Sequence, residues 1–190
     1  MISRIRVLLT AGCAVALVAC GDFTAVKATR QVFSASVGLF SLNTAPIGAP
    51  NALSIGSATT TRADASFGYD MAFQLDTVSP IRLIPLRLIA STLAGSHRVG
   101  FQKSATDYDS LFLAPVDGYK YDTTFAARPG ATTLISVENP SVCFGSLKGS
   151  TYYAKMIIDS VDVQRKIYLR LTVDPNCGFR GLLAGEIPRD

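Results

Sequence analysis

Ser66-Phe-Gly-Tyr-Asp-Met-Ala-Phe-Gln-Leu-Asp-Thr77 decides the fold class. Phe67, Tyr69, Met71, Phe73 and Leu75 fall on one parity, and Gly68, Asp70, Ala72, Gln74 and Asp76 on the other. Side chains along a β-strand point alternately to opposite faces, so this period of two describes a strand that buries one aromatic stripe and turns the other face to water. Residues 166–173 repeat the pattern, with Ile167, Leu169, Leu171 and Val173 inward and Lys166, Tyr168, Arg170 and Thr172 outward. Residues 152–161 precede them, with Tyr152, Ala154, Met156 and Ile158 as the inner set. The two segments predict a hairpin closed within residues 161–165. Val163 is poorly suited to a positive φ, so a longer or bulged loop is expected rather than a tight primed turn.

Working outward, further strands are expected at residues 32–42, 52–55, 81–90, 98–103, 110–113, 119–125 and 132–138. Pro85 predicts an edge position or a bulge in its strand. Turn chemistry separates the segments at Pro46 and Pro50, Ser79-Pro80, Asp117-Gly118, Pro129-Gly130, Asn139-Pro140 and Pro175-Asn176. Short helical turns are expected within 91–97 and 141–150, and an extended tail after Gly178. The fold class is therefore all-β: an antiparallel sandwich or a partly open barrel of about 9–10 short strands.

The N-terminal end carries a different signal. Arg4 and Arg6 precede an apolar run over residues 7–18, and Leu17-Val18-Ala19-Cys20 closes it. The run is short of the ~20 apolar residues that span a bilayer. A positive start, a short apolar segment and small residues before a cut make a signal peptide. Cys13 lies inside the run, and Thr10 stands where the motif wants a branched apolar residue. The stretch resembles the signal peptide of a bacterial lipoprotein, with Leu17, Val18, Ala19 and Cys20 as the lipobox. The resemblance implies cleavage before Cys20, diacylation of its thiol, and a bilayer partner reached through that lipid. Gly21 rather than aspartate follows the cysteine, which favours the outer membrane in a cell with two membranes. The expected organisation is a signal peptide at 1–19, a tether at 20–30 and a single β-rich domain at 31–190.

Removing the leader leaves 171 of 190 residues, enough for one domain. Two of the 18 basic residues lie in the leader and none of the 14 acidic ones, so the remainder carries 16 − 14 = +2. Such a balance, with its basic residues scattered, gives no footprint for nucleic acid. After the leader, the most apolar stretch is residues 81–90, which holds two arginines and a proline and is too short to span. The body is expected to be soluble and held by its lipid alone. Cys143 and Cys177 remain after Cys13 and Cys20, and an even pair in an exported chain predicts a disulfide. Closing a loop of 34 residues is worth about 3–4 kcal/mol in the chain-entropy account. Neither cysteine has a second cysteine or histidine at ligand spacing, so no metal is expected.

Catalytic chemistry has few candidates. His97 is the sole histidine, and Ser96 beside it would point to the opposite face of a strand. It is expected on a surface or loop. Asp107 and Asp109, and Asp117 and Asp122, are paired carboxylates, yet they do not complete a calcium loop and read as solvated turn residues. A hydrolase would need two of them facing across a cleft. Tyr119, Tyr121, Tyr152, Tyr153 and Tyr168 are candidates for a groove, an interface, or simply the core and flanks of the sheet.

Two further stretches, Phe67-Gly-Tyr-Asp-Met-Ala-Phe73 and Tyr153-Ala-Lys-Met-Ile157, resemble strands of HmuY-like β-rich haem-binding lipoproteins. That family holds haem iron through two histidines. This chain has only His97, so the ligand pair is absent, and Met71 and Met156 fall on core faces. No cofactor is expected. The function expected is a membrane-anchored, non-enzymatic envelope lipoprotein that binds or supports a partner not named by the sequence. A carrier for a small ligand (lipid, haem or glycan) and a carboxylate-dependent hydrolase are the alternatives.

Overall fold

A computed structural model describes residues 26–65, 68–75 and 81–189, and of Leu93 the backbone alone. The leader, the lipobox with Cys20, Phe67, Asp76 and the Ser79-Pro80 turn lie outside the described residues.

The chain is a sandwich of two antiparallel sheets packed together, with no closed barrel. Eleven strands are described: β1 (Phe33–Phe40), β2 (Ala52–Ser54), β3 (Thr59–Thr61), β4 (Met71–Leu75), β5 (Ile81–Pro85), β6 (Arg98–Lys103), β7 (Lys120–Tyr121), β8 (Phe125–Ala127), β9 (Thr132–Glu138), β10 (Thr151–Val161) and β11 (Lys166–Asp174). The first sheet has the order β1-β11-β10-β9-β6-β7, and the second β3-β2-β4-β5-β8.

The core lies between the sheets. Leu53, Ile55, Met71, Phe73, Ile81 and Leu83 of the second sheet meet Leu39, Phe101, Ile135, Ala154, Met156, Ile158, Ile167, Leu169, Leu171 and Val173 of the first. Burying each of the larger side chains is worth about 2 kcal/mol. The inner sets expected for 152–161 and 166–173 are all buried. The two segments form the expected hairpin, with a register shift between Ile158 and Ser160. Its loop is four residues long: Asp162 N–H donates to Lys166 O, Arg165 N–H donates to Asp162 O, and Arg165 rather than Val163 takes the left-handed φ of 61°.

Several expectations are corrected. The strand at 81–90 stops at Pro85. Continuing its alternation beyond Ile81, Leu83 and Pro85 would turn Arg87 into the core. The chain instead makes two single helical turns, α1 (Leu86–Ile89) and α2 (Ser91–Ala94), and Arg87 reaches the surface, 3.3 Å from Gly95 O. Pro85 makes no bulge; it ends the strand beyond the reach of β8, paired only with Met71 of β4. Residues 119–125 split into β7 and the start of β8, which belong to different sheets. Residues 110–113 form no sheet strand: Leu113 bridges Gly181, Ala114 N–H donates to Arg180 O, and Leu182 N–H donates to Phe112 O. The segment after Gly178 is thus docked, with Phe179 and Leu182 buried. Residues 141–150 are turns without a helix, and β3 was not expected.

The faces expected to meet water are largely covered. Ala72 packs with Ala52, Ala63, Tyr69, Leu86 and Ala94 beneath α1 and α2, where alanines admit close approach. On the other side, Leu134 and Tyr153 pack with Ala114 and Leu182 beneath residues 111–119 and the C-terminal segment. Lys155, buried there, donates to Tyr108 O at 2.7 Å and Leu111 O at 2.9 Å.

Candidate functional site

One cleft gathers the chain's only histidine and its most buried carboxylate that faces open space. It has a volume of about 390 Å³ and opens where the two sheets meet at one end of the sandwich. Ser54, Gly56, Ser57, Gly68, Tyr69 and Asp70 come from β2 and the loops beside it and β4 in the second sheet, and His97, Asn139 and Tyr152 from β10 and the loops beside β6 and β9 in the first.

Asp70 precedes β4, and its backbone is fixed on both sides. Its N–H donates to Leu53 O at 2.9 Å, and its carbonyl accepts from Leu86 N–H at 2.9 Å. The side chain is 3% exposed, so each carboxylate oxygen needs a partner. Oδ2 accepts a short bond from Ile55 N–H and a second from the Tyr152 hydroxyl at 3.2 Å. Oδ1 lies 2.7 Å from His97 Nε2. That contact is close, but its direction departs from hydrogen-bond geometry. His97 sits in a loop, as expected, the one before β6, but its side chain is only 15% exposed and lies against Asp70.

Tyr152 crosses from β10 of the opposite sheet. A Cβ at Gly56 would stand 3.2 Å from its hydroxyl oxygen and 3.3 Å from the ring carbon that bears it, so glycine there makes room for the phenol. Burial, then the charge of Asp70 and the hydrogen bond to it, push the Tyr152 phenol far above its ordinary range, so it stays a donor. Burial also raises the Tyr69 phenol, whose hydroxyl is buried with no hydrogen-bond partner among the described residues. The cleft is thus lined by a fixed carboxylate, an imidazole and two phenols, with Asp70 Oδ2 already accepting two bonds. Asp70 is the one carboxylate lining it, and Ser57 Oγ is engaged with Thr59 Oγ1 at 2.7 Å.

The remaining candidates are scattered. Asp107 and Asp109 are exposed on either side of buried Tyr108, and Asp117 is exposed. Asp122 is not a solvated turn residue. Its Oδ2 accepts from Arg98 Nε at 2.8 Å, and its side chain is 20% exposed. Among the described residues, no three His, Cys, Asp or Glu side chains gather as for a metal ion. Tyr119, Tyr121 and Tyr153 pack ring against ring on the outer face of the first sheet, with centroids 6.4 Å and 6.0 Å apart. Tyr152 points the other way into the cleft, and Tyr168 is exposed elsewhere. The tyrosines therefore form no common groove. Met71 and Met156 are fully buried in the core, away from any open ligand position.

Cys143 and Cys177 are disulfide-bonded, with Cα atoms 5.7 Å apart. Among the described residues no helix is long and apolar enough to cross a membrane.

Sequence reasoning missed Asp70, because strict alternation placed it on a solvated face. The one available signal was an acidic residue set between Tyr69 and Met71 in the most strand-like stretch of the chain. In comparisons with known proteins, no family, no curated protein and no solved structure matches the chain.

Proposed function

We propose that this is a lipid-anchored protein of the bacterial cell envelope, a non-enzymatic binding module whose cleft takes a small hydroxylated ligand such as a glycan unit. The observation that carries the binding role is the Tyr69–Asp70–His97–Tyr152 floor of the cleft. A hydroxylated ligand both donates and accepts hydrogen bonds, and this floor offers a carboxylate and imidazole beside aromatic rings. The anchor rests on Leu17-Val18-Ala19-Cys20 after a short apolar leader, and two acyl chains hold a protein to a bilayer where one does not. Glycine at position 21 favours the outer membrane. The disulfide suits an oxidising compartment.

Two measurements test this reading. The full chain expressed with labelled palmitate takes up label and sheds its leader, and Cys20→Ala abolishes both. Label retained in Cys20→Ala removes the anchor. The single histidine gives a ring signal that needs no assignment, and titration with mono- and disaccharides shifts it saturably. Ring signals that stay fixed across such a panel remove the glycan reading.

A further inference from the structure

The loop bridged by the disulfide exposes more apolar surface than any other described turn. Val142, Phe144 and Leu147 are 59%, 92% and 87% exposed. Isolated apolar residues on a surface are ordinary, but three on one short loop form a patch that calls for a partner.

The loop is held in shape. Cys143 ties it to Cys177, Asn139 Oδ1 accepts from the N–H groups of Ser141 and Val142 at 3.2 Å, and Ser146 Oγ donates to Cys177 O at 3.3 Å. Gly178 completes the brace with φ of 81°, since a Cβ there would stand 2.5 Å from Lys148 O. A braced loop keeps its apolar side chains outward at little further entropic cost.

Position supplies the partner. Val142, Phe144 and Leu147 share a groove of about 410 Å³ with residues 26–30. Val26 is six positions from Cys20 (26 − 20), and that length of chain reaches at most about 20 Å. A bilayer holding Cys20 therefore lies within about 20 Å of this edge of the domain. Charge agrees. Lys27 and Arg30 line the groove, Lys148 lies on the same loop with its ammonium 3.9 Å from the Phe179 ring centre, and no carboxylate lines the groove. Basic residues around apolar ones suit the headgroup region of an anionic bilayer.

We propose that Val142, Phe144 and Leu147 enter the headgroup–acyl boundary of the membrane that anchors the chain, with Lys27, Arg30 and Lys148 against its anionic headgroups. The proposal rests on the anchor reading. The lipid at Cys20 then gives attachment, and the loop gives orientation, setting the end of the sandwich that carries the cleft close to the bilayer. Arg30 and Val142 line both the groove and the cleft.

The chain contains no tryptophan, so Phe144→Trp installs a single reporter at an exposed position that a bulkier ring fits. The full lipidated chain carrying it is reconstituted into vesicles of phosphatidylcholine and phosphatidylglycerol with bromine at shallow acyl positions. The indole at position 144 shifts to the blue and loses most of its emission. The control Val163→Trp, at a 99% exposed position of the β10–β11 loop, keeps its emission. Replacing Lys27, Arg30 and Lys148 by glutamine lowers the quenching to that seen in neutral vesicles. Equal emission with and without bromine at position 144, in a chain that takes up palmitate, overturns the docking and leaves the anchor standing. Failure to take up palmitate overturns the anchor itself. A blue shift without quenching, with a dimer mass in solution, assigns the loop to a second copy and also overturns the proposal.

Discussion

At the scale of single residues, Asp70 stands out because two elements distant in sequence depend on its side chain. Ile55 N–H and the Tyr152 hydroxyl both donate to Oδ2, and each would be orphaned in a buried place without it. Asp70→Ala is therefore expected to destabilise the chain by about 3 kcal/mol, and His97→Ala, which strips no hydrogen-bonded donor, by about 1 kcal/mol or less. Asp70→Asn keeps an acceptor and should fall between. Denaturant midpoints of the three variants check the order, and equal losses for Asp70→Ala and His97→Ala would contradict this account of the carboxylate. None of this was legible in the sequence. Alternation put Asp70 on the face of Ala72, but the period breaks just before β4: Tyr69 packs with Ala72 in the outer cluster, and Asp70 turns inward to Tyr152 of the opposite sheet.

At the scale of elements, the strands that read well are those whose neighbours in space are neighbours in sequence. The β10–β11 hairpin is the clearest: its inner residues, its pairing and its non-primed loop all follow from local pattern. The inward parity of Met71 and Phe73 was likewise readable, but that of Tyr69 was not: it packs with Ala72 beneath the helical turns and not between the sheets. What failed did so at tertiary junctions. Residues 110–113 have strand composition but pair with the C-terminal segment instead of a sheet, because the face of β9 and β10 that holds Leu134 and Tyr153 is apolar and needs a cover. Residues 81–90 look like one strand until Arg87 is placed, and only the position of the core shows that it must leave. The cysteine pairing was within reach because only two cysteines follow the lipobox. The use of the bridge to brace Val142, Phe144 and Leu147 was not.

At the scale of the whole molecule, six of the seven tyrosines are packed into the sandwich or its covers. Burial holds the phenols of Tyr69, Tyr108, Tyr119, Tyr121, Tyr152 and Tyr153 above the ordinary value of 10.0. Above about pH 10 the unfolded chain loses these protons while the folded chain keeps them. The folded state then binds more protons, so stability is complete below about pH 10 and falls as pH rises further. Lys155 acts in the opposite sense, because burial lowers its ammonium, but it is one group against six. The thermal midpoint should hold steady to about pH 9.5 and then decline, with tyrosinate absorbance appearing as the chain unfolds. A midpoint that rises through that range would contradict the burial of the phenols. The way the chain enters the sandwich also governs how it bears force. β1 is an edge strand, and tension drawn from its Phe33 end would open its ladder to β11 one pair at a time. Tension arriving from the residues ahead of Val26 meets other fastenings first. The N–H groups of Thr29 and Arg30 donate to Asn176 Oδ1, Asn176 Nδ2 donates to Arg30 O, and Val32 exchanges bonds with Gly185 and Glu186. Asn176 is in turn bonded to Asp174 at the end of β11 and precedes the disulfide-bonded Cys177. A pull on the leading segment is thereby passed to the interior of the first sheet and to a covalent bridge, and the edge strand is spared the load that would unzip it.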